Sequence, residues 1–323
     1  MTTAALPGEC WAITDHAAGN QRQALALAER LGMPVRHLVL APRAPWSWLA
    51  PRLALGGPLA LPAAQRAVFV PPWPTVAIGC GRGAALLTRV LRRCAQGHCY
   101  TVQILDPRID PRHWNTVIAP RHDGLSGPNV LQPLGSLNPI DDAWLQDGRD
   151  AFPTLAALPR PRVGVLLGGP RGNLRIDRAY AQQLCSRLLA HQHSEGGSLL
   201  VLGSRRTPVE VLEAMRAPLR DVPGLIWPDP GNDDNPYPGV LGWADRLVVT
   251  PDSVNMLSEA CAVGCAVQTF VPVPLAGKLS RFHQSLREAG LLHDLDNAAT
   301  SDQAPLRETQ AIAQTLRRHI LVP

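Results

Sequence analysis

The chain is sparing with lysine, with paired cysteines and, over one long span, with acid. Its Lys and Arg side chains number 31, and only Lys278 is a lysine. Guanidinium groups therefore carry nearly all the positive charge. Between Arg30 and Leu105 there is no Asp or Glu, while Arg36, Arg43, Arg52, Arg66, Arg82, Arg89, Arg92 and Arg93 all fall inside that span. A preference for arginine over lysine explains the first absence and leaves the second unexplained. A one-sign region of this kind favours an anionic partner such as acidic lipid or phosphorylated glycan; nucleic acid is not expected. The seven cysteines include no C-x-x-C pair, and Cys261 with Cys265 has no neighbouring His or third Cys to complete a zinc set. No metal and no cofactor are expected, and the thiols read as reduced. No apolar run approaches the roughly 18 residues of a membrane-spanning helix. No basic segment followed by an apolar run opens the chain, as a secretory signal would. The expected location is the cytoplasm, with peripheral attachment to the inner face of the cytoplasmic membrane through the basic region 30–105.

What remains is a chain of 323 residues, 46% hydrophobic, with a net charge of +5. That length exceeds one typical core and suits two α/β domains. The alternation of apolar runs and helical patterns supports this. Residues 10–14 read as a strand, followed by the loop DHAAGN, an amphipathic helix over 21–31 and a strand over 35–40. Strand–helix–strand order implies a parallel sheet with right-handed crossovers. Residues 42–62 interrupt the alternation with Pro, Leu, Trp46 and Trp48 beside Arg43 and Arg52. Interleaved indoles and arginines suit a membrane interface or an amphiphilic acceptor, and packing of the indoles under a Pro-rich loop is the alternative.

A strand over 75–78 then meets GCGRGA (79–84), which fits G-x-G-x-x-A. It is not the first strand–helix unit, and Asp106, at the end of strand 101–105, lies further on than a dinucleotide fingerprint places its acid. A close-packed glycine turn is the preferred reading. After strand 116–119, the loop PRHDGLSGPN sets His122 beside Asp123 at a strand end. Asp123 there could orient the imidazole as a proton acceptor, or the histidine is structural.

FPTLAALPRPR (152–162) carries three prolines and reads as a stiff linker, dividing an N-terminal domain (1–151) from a C-terminal one (163–305). In the second half, strand 163–167 runs into GGPRGN, and Asp177 caps the next helix. Strand 199–202 runs into GSRRTP, where Thr207 and Glu210 have capping-box spacing with Pro208 at the first helical position. Ser204, Arg205 and Arg206 then stand at a strand's carboxyl end, where two guanidiniums and a hydroxyl suit a diphosphate. A short strand over 225–227 and a short helix over 235–244 follow. Strand 247–250 leads into PDS and a helix, with Asp252 and Ser253 at the helix start. Both residue types cap well, and a helix start attracts phosphate. Glu259 returns two turns later to nearly the same face as Asp252. Phosphate at the tip and ribose hydroxyls at Glu259 would together grip a nucleotide; an ordinary capped helix with a surface Glu is the other reading. A last helix, 306–320, is expected to pack back toward the N-terminal domain.

With these pieces placed, the second half resembles the nucleotide domain of GT-B glycosyltransferases, in which strand–GG, an Arg/Ser loop and D-S-V-x-M-x-S-E-A-x-x-x-G-x-x-V recur in this order. Over nearly the whole chain the sequence also resembles the plant "elongated mitochondria" fission-factor family and its bacterial relatives. The segments that carry this likeness are GNQRQALALAERLG, IGCGR, VQILDPR, APRHDGLSGPNVL, LLGGP, GSRRTP and NPYPGVLGWADRLVVTPDSVNMLSEA. Bacterial members are assigned as glycosyltransferases, some acting on lipooligosaccharide outer core; plant members are recruitment factors in mitochondrial division.

The resemblance implies two Rossmann-like domains facing a cleft, in the GT-B architecture, with transfer of a sugar from a nucleoside-diphosphate sugar to a glycan or glycolipid. By position, Ser204, Arg205 and Arg206 would bind the diphosphate with Asp252 and the Ser253 and Val254 amides, and Glu259 would take the ribose. Gly168 and Gly169 would let the backbone approach the donor, Lys278 and Asn255 would reach the donor sugar, and backbone near Trp227–Pro228 would read the base. Asp15 or His16, and His122 with Asp123, would face the acceptor. Precursor-type GT-B enzymes have G-G-x-x-G-H after the first strand where this chain has DHAAGN, so His122 is the preferred base. A nucleotide-sugar 2-epimerase and a non-catalytic nucleotide-binding adaptor are the alternatives.

Overall fold

The structure is a computed structural model and describes residues 6–227, 235–298 and 304–321. The chain forms two compact units, residues 1–139 with 308–323, and residues 140–307. Among the described residues no helix is long and apolar enough to cross a membrane.

The first unit begins with β1 (Cys10–Thr14), α1 (Ala18–Arg30), β2 (Val35–Val39) and the single turn α2 (Trp46–Leu49). It continues through β3 (Val76–Cys80), α3 (Arg82–Cys94), β4 (Tyr100–Ile104), β5 (Thr116–Ile118) and the two-residue β6 (Val130–Leu131). All pairings are parallel, in the order β2-β1-β3-β4-β5-β6. Both faces of the central strands are covered, which is why they read as continuous apolar runs rather than alternating ones. Side chains alternate across the sheet: Cys10, Ala12, Val76 and Ile78 share a core with Leu27 of α1, whereas Trp11, Ile13 and Ala77 share one with Leu87 and Leu91 of α3.

The second unit opens with α4 (Asp142–Ala151), β7 (Arg162–Leu167), α5 (Arg178–Glu195), β8 (Ser198–Gly203), α6 (Val209–Arg216) and β9 (Gly224–Trp227). It goes on through α7 (Tyr237–Trp243), β10 (Arg246–Val249), α8 (Val254–Val263), β11 (Ala266–Thr269), α9 (Gly277–Glu288) and β12 (His293–Asp294). Its sheet is also six-stranded and parallel, in the order β12-β11-β10-β7-β8-β9. Val163, Val165, Leu167 and Val201 pack against Tyr180, Leu184 and Leu188 of α5 and Met215 of α6.

The unit boundaries differ from the expected 151/152 and 305/306. Segment 140–162 lies in the second unit, because α4 is built to meet α7. A Cβ on Gly148 would come within 2.4 Å of the Pro238 carbonyl oxygen, so only glycine permits that approach. Arg149 donates to the Gly242 carbonyl at 3.1 Å and the Trp243 indole to that of Phe152 at 3.0 Å. The expected Pro-rich linker is a 3-10 turn (Pro153–Ala157) with Leu155 buried. The last helix, α10 (Thr309–Leu321), belongs to the first unit, with Ile312, Ala313 and Leu316 in the α1-side core. The Glu308 carboxylate ahead of it accepts from the Leu134 and Gly135 amides at 2.9 and 3.0 Å.

Candidate functional site

In an open parallel sheet, ligands collect where the strand order reverses, beyond the carboxyl ends of the strands. In the second unit the chain runs outward from β7 through β8 to β9, then returns to lay β10 on the other side of β7. The reversal falls between β7 and β10, and three loops converge there. Gly168 and Gly169 leave β7, Ser204 to Thr207 leave β8, and Thr250 to Ser253 join β10 to α8.

Asp252 organises these loops. It is fully buried, and a buried carboxylate persists only where donors surround it. Its Oδ2 accepts from the Gly169 amide at 3.1 Å and from Arg206 Nη2 at 2.6 Å, and its Oδ1 from the Thr250 hydroxyl at 2.7 Å. The Thr250 Oγ1 in turn accepts from the Gly168 amide at 2.7 Å. Arg171 Nη1 donates to the Asp252 carbonyl at 2.8 Å. A Cβ on Gly168 would lie 2.1 Å from Asp252 Oδ1, and one on Gly169 would lie 2.2 Å from the Arg206 carbonyl oxygen. Both glycines are thus demanded by the protein's own packing.

Two expectations about caps change. Ser253, not Asp252, caps α8, its Oγ accepting from the Met256 amide at 3.3 Å. Asp252 is turned inward because the Gly169 amide and Arg206 solvate its charge better than a helix start alone would. Thr207 makes no capping box either. α6 starts at Val209 after Pro208 with no side-chain cap. The Thr207 Oγ1 lies 2.7 Å from both the Leu167 and Gly168 carbonyl oxygens and accepts from the Ser204 amide at 2.7 Å. It binds the β8 loop to the β7 loop, an exchange of a local contact for a tertiary one.

The electrostatic balance follows. Arg206 neutralises Asp252, while Arg205 is exposed and makes no hydrogen bond or ion pair among the described residues. The first amide of α8, at Val254, has no partner within the helix, and the dipole adds positive potential there. Arg205, Arg171 and the start of α8 leave the switch point net positive, a setting for an anion.

Glu259 lies on α8 and is buried, and its carboxylate accepts a short hydrogen bond from the Tyr237 hydroxyl. Lys278 is exposed in the first turn of α9, and Asn255 is half-buried in the first turn of α8. Pro228, expected near the donor base, lies outside the described residues; Trp227 ends β9.

His283 of α9 is buried beneath the Pro251–Asp252 turn, its Nε2 2.8 Å from the Pro251 carbonyl oxygen. Desolvation pulls its pKa down to about 4, so at neutral pH it is the uncharged tautomer donating through Nε2. The roles of His283, Thr250, Arg171 and Tyr237 are set by tertiary contacts rather than by local sequence. The neighbourhood of Arg171, GGPRGN, was visible as an anion-ready loop; nothing local marks His283.

The first unit has its own reversal, between β1 and β3. Asp15 closes the DHAAGN loop by accepting from the Ala17 amide at 2.9 Å and from Asn20 Nδ2 at 3.0 Å; His16 is exposed. Gly81 starts α3 at φ +93°, and Gly79 sits inside β3, where a Cβ would meet Thr88 and Gln103 at 2.9 Å. That crowding agrees with a close-packed glycine turn. His122 is buried and Asp123 half-buried, in one 3-10 turn (Arg121–Asp123) after β5. Among the described residues no group of three His, Cys, Asp or Glu side chains is arranged to hold a metal.

Two six-stranded parallel sheets with flanking helices are the fold of GT-B glycosyltransferases and epimerases. The chain belongs to the mitochondrial fission ELM1 family, whose model matches residues 18–320. It is 32% identical to the mitochondrial fission protein ELM1 of Arabidopsis thaliana over 76% of this chain. It spans 64% of the length of that relative. In fold it is similar to the UDP-GlcNAc 2-epimerase of Neisseria meningitidis bound to UDP-GlcNAc, with 12% identity, a TM-score of 0.52 and coverage of 98% and 92% of the two chains. It is equally similar to Os79 of O. sativa in complex with UDP, with 12% identity, a TM-score of 0.52 and coverage of 97% and 94%.

Proposed function

We propose that this protein binds a nucleoside-diphosphate sugar at the β7/β10 switch point of the second unit and transfers the sugar to a glycan or glycolipid. The observation that carries the reading is the convergence of an exposed, unneutralised Arg205 and the start of α8 on loops braced by buried Asp252. In this reading the diphosphate lies against Arg205, the Ser204 hydroxyl and the Val254 amide, with Asn255 toward the donor sugar. Glu259, held by Tyr237, accepts from the ribose hydroxyls, and Lys278 reaches toward the donor sugar. Asp252 acts through Arg206 and the two glycines: it fixes the loops and does not touch the anion, because a second negative charge there would repel phosphate.

Chemically, such a site stabilises charge developing on the leaving diphosphate with preorganised donors, and a base on the acceptor hydroxyl completes the transfer. His122 beside Asp123 is our choice for that base, ahead of Asp15 and His16. Uridine is the first base to test, because the two fold neighbours above carry UDP or UDP-GlcNAc. The name of the Arabidopsis relative supports a second reading, a nucleotide-binding adaptor in which the same site is occupied but no sugar is moved.

The test is a thermal-shift screen of UDP, GDP, ADP and CMP, followed by product detection with the matching sugar nucleotides. A ligand present at a hundred times its dissociation constant stabilises by about 2.7 kcal/mol, which is readily seen. Stabilisation by UDP with turnover of a UDP-sugar supports the transferase. Stabilisation with no turnover in the presence of glycan acceptors supports the adaptor. No shift with any of the nucleotides contradicts both.

A further inference from the structure

The acid-free span of the first unit carries a feature that nucleotide binding does not use. Between β2 and β3 the chain folds into a tightly fastened arm. The Arg43 amide and Nε donate to the Ala60 and Leu59 carbonyls, each at 2.8 Å, and the Trp46 indole donates to the Leu55 carbonyl at 2.9 Å. Arg82 of α3 reaches the Ser47 carbonyl at 3.0 Å, and Arg89 reaches those of Pro51 and Arg52 at 2.9 and 3.1 Å. Ala50, Ala54, Ala60 and Leu61 turn inward to the core shared with α3.

The same arm holds large apolar side chains in water. Trp48 is 74% exposed and Leu55 82%, with Leu49 and Leu59 also exposed. Isolated exposed leucines are ordinary, but four large apolar residues within one fastened segment mark an interaction surface.

Charge identifies the occupant. Arg43 of the arm and Arg82 and Arg89 of α3 spend their hydrogen bonds on neutral carbonyls, and Arg43, Arg52 and Arg82 form no ion pair among the described residues. No carboxylate pairs with them among the described residues, Arg43 lies over the Trp46 ring, and no Asp or Glu occurs between Arg30 and Leu105 to offset their charge. Indole and leucine side chains set among unneutralised guanidiniums match the interfacial zone of an anionic bilayer. There Trp sits at headgroup depth and each nearby Arg gains from the negative surface. We propose that the arm over residues 43–59 is a membrane-docking surface that seats Trp48 and Leu55 in an anionic lipid interface. This stands independently of the nucleotide reading, since it concerns a different unit and needs no bound nucleotide.

The test is flotation of the full chain, without nucleotide, with vesicles of phosphatidylcholine alone and of phosphatidylcholine mixed with phosphatidylglycerol. Recovery is expected with the anionic vesicles only and is expected to fall as salt is raised, because exposed charges are screened within about 10 Å at 0.1 M. The double substitution Trp48→Ser with Leu55→Ser removes the apolar contact and is expected to lower recovery at least about tenfold. Arg52→Glu, at an exposed side chain, is expected to weaken it in the same direction. Val273→Ser, an exposed apolar residue of the second unit, serves as the control and leaves recovery unchanged. Circular dichroism of each variant separates loss of docking from loss of fold, and Arg52→Glu decides the matter if the double variant misfolds. Equal recovery with neutral and anionic vesicles overturns the proposal. So does recovery indifferent to both the double variant and Arg52→Glu. A wild-type dimer in solution that Trp48→Ser dissociates would assign the surface to a second copy of the chain instead, and also overturns it.

Discussion

Each unit of this molecule has a parallel sheet whose strand order reverses once, yet the two reversals are furnished differently. In the second unit a fully buried carboxylate, Asp252, ties three loops together, and the guanidinium next to its partner, Arg205, is left over. In the first unit the half-buried Asp15 closes only its own loop, and Arg82 and Arg89 are consumed fastening a neighbouring arm. The same topology supplies a crevice in both places. Only in the second does the bracing come from inside the fold, which leaves a cation and a helix start facing outward. Which cations are left facing outward thus depends on where the structural work is done as much as on which residues are present.

The sharpest way to break this comparison is to remove the two carboxylates. Asp252→Ala strands the Gly169 amide and the Thr250 hydroxyl in the interior, and each unsatisfied group costs about 1 to 3 kcal/mol. A loss of about 4 kcal/mol is therefore expected, although half-exposed Arg206 can turn to solvent. Asp15→Ala, at a half-buried loop, loses hydrogen bonds that solvent can replace and should cost only about 1 kcal/mol. Denaturant unfolding of the two variants checks the ratio; equal losses would erase the distinction.

The glycines provide a second contrast. Gly168→Ala drives a methyl group into a braced carboxylate and should cost about 3 kcal/mol, the upper end for overpacking. Gly79→Ala meets the Thr88 methyl and the far end of Gln103 and should cost about 1 kcal/mol. Melting temperatures of the pair would show it.

The larger pH response should also belong to the second unit, although burial lowers the pKa of His113 in the first unit in the same direction. His283 is held neutral with its pKa pulled down to about 4, whereas in the unfolded chain it titrates near about 6.5. The unfolded state therefore binds the extra proton first as pH falls. The stabilising contribution is complete above about pH 6.5 and is lost progressively toward pH 4, up to about 3 kcal/mol. His283→Gln removes this component. Its melting temperature should accordingly fall less than that of the wild type across this window.

Much of this was legible in the sequence, and what was missed has a common cause. β7, β8 and β10 were expected within a residue or so of where they lie, because buried parallel strands are short apolar runs between turn residues. Gly264 ends α8 in the left-handed region at φ +95°, as a helix-stopping glycine should. β6 and β12 have two residues each and leave no periodicity to read. α4 went unread and the segment after it passed for a linker, because three prolines signal stiffness without revealing the helix they dock against. At the site, the residue types and strand ends were visible, but their division of labour was not. Thr207 and Asp252 both carry local capping signatures, and both are drawn away by partners distant in sequence. His283 gives no local sign, since its role depends on a carbonyl 32 residues away.

Arg205 should contribute least to stability and most to function. Exposed and without a hydrogen bond or ion pair among the described residues, it should cost under about 0.5 kcal/mol when replaced by alanine. Calorimetric titration of UDP into wild type, Arg205→Ala and Arg82→Ala therefore bears most directly on the central claim. The account predicts one binding site in the wild type, at least about tenfold weaker binding for Arg205→Ala with an unchanged melting temperature, and wild-type affinity for Arg82→Ala. Affinity lost with Arg82→Ala but retained with Arg205→Ala would place the anion in the first unit and contradict it.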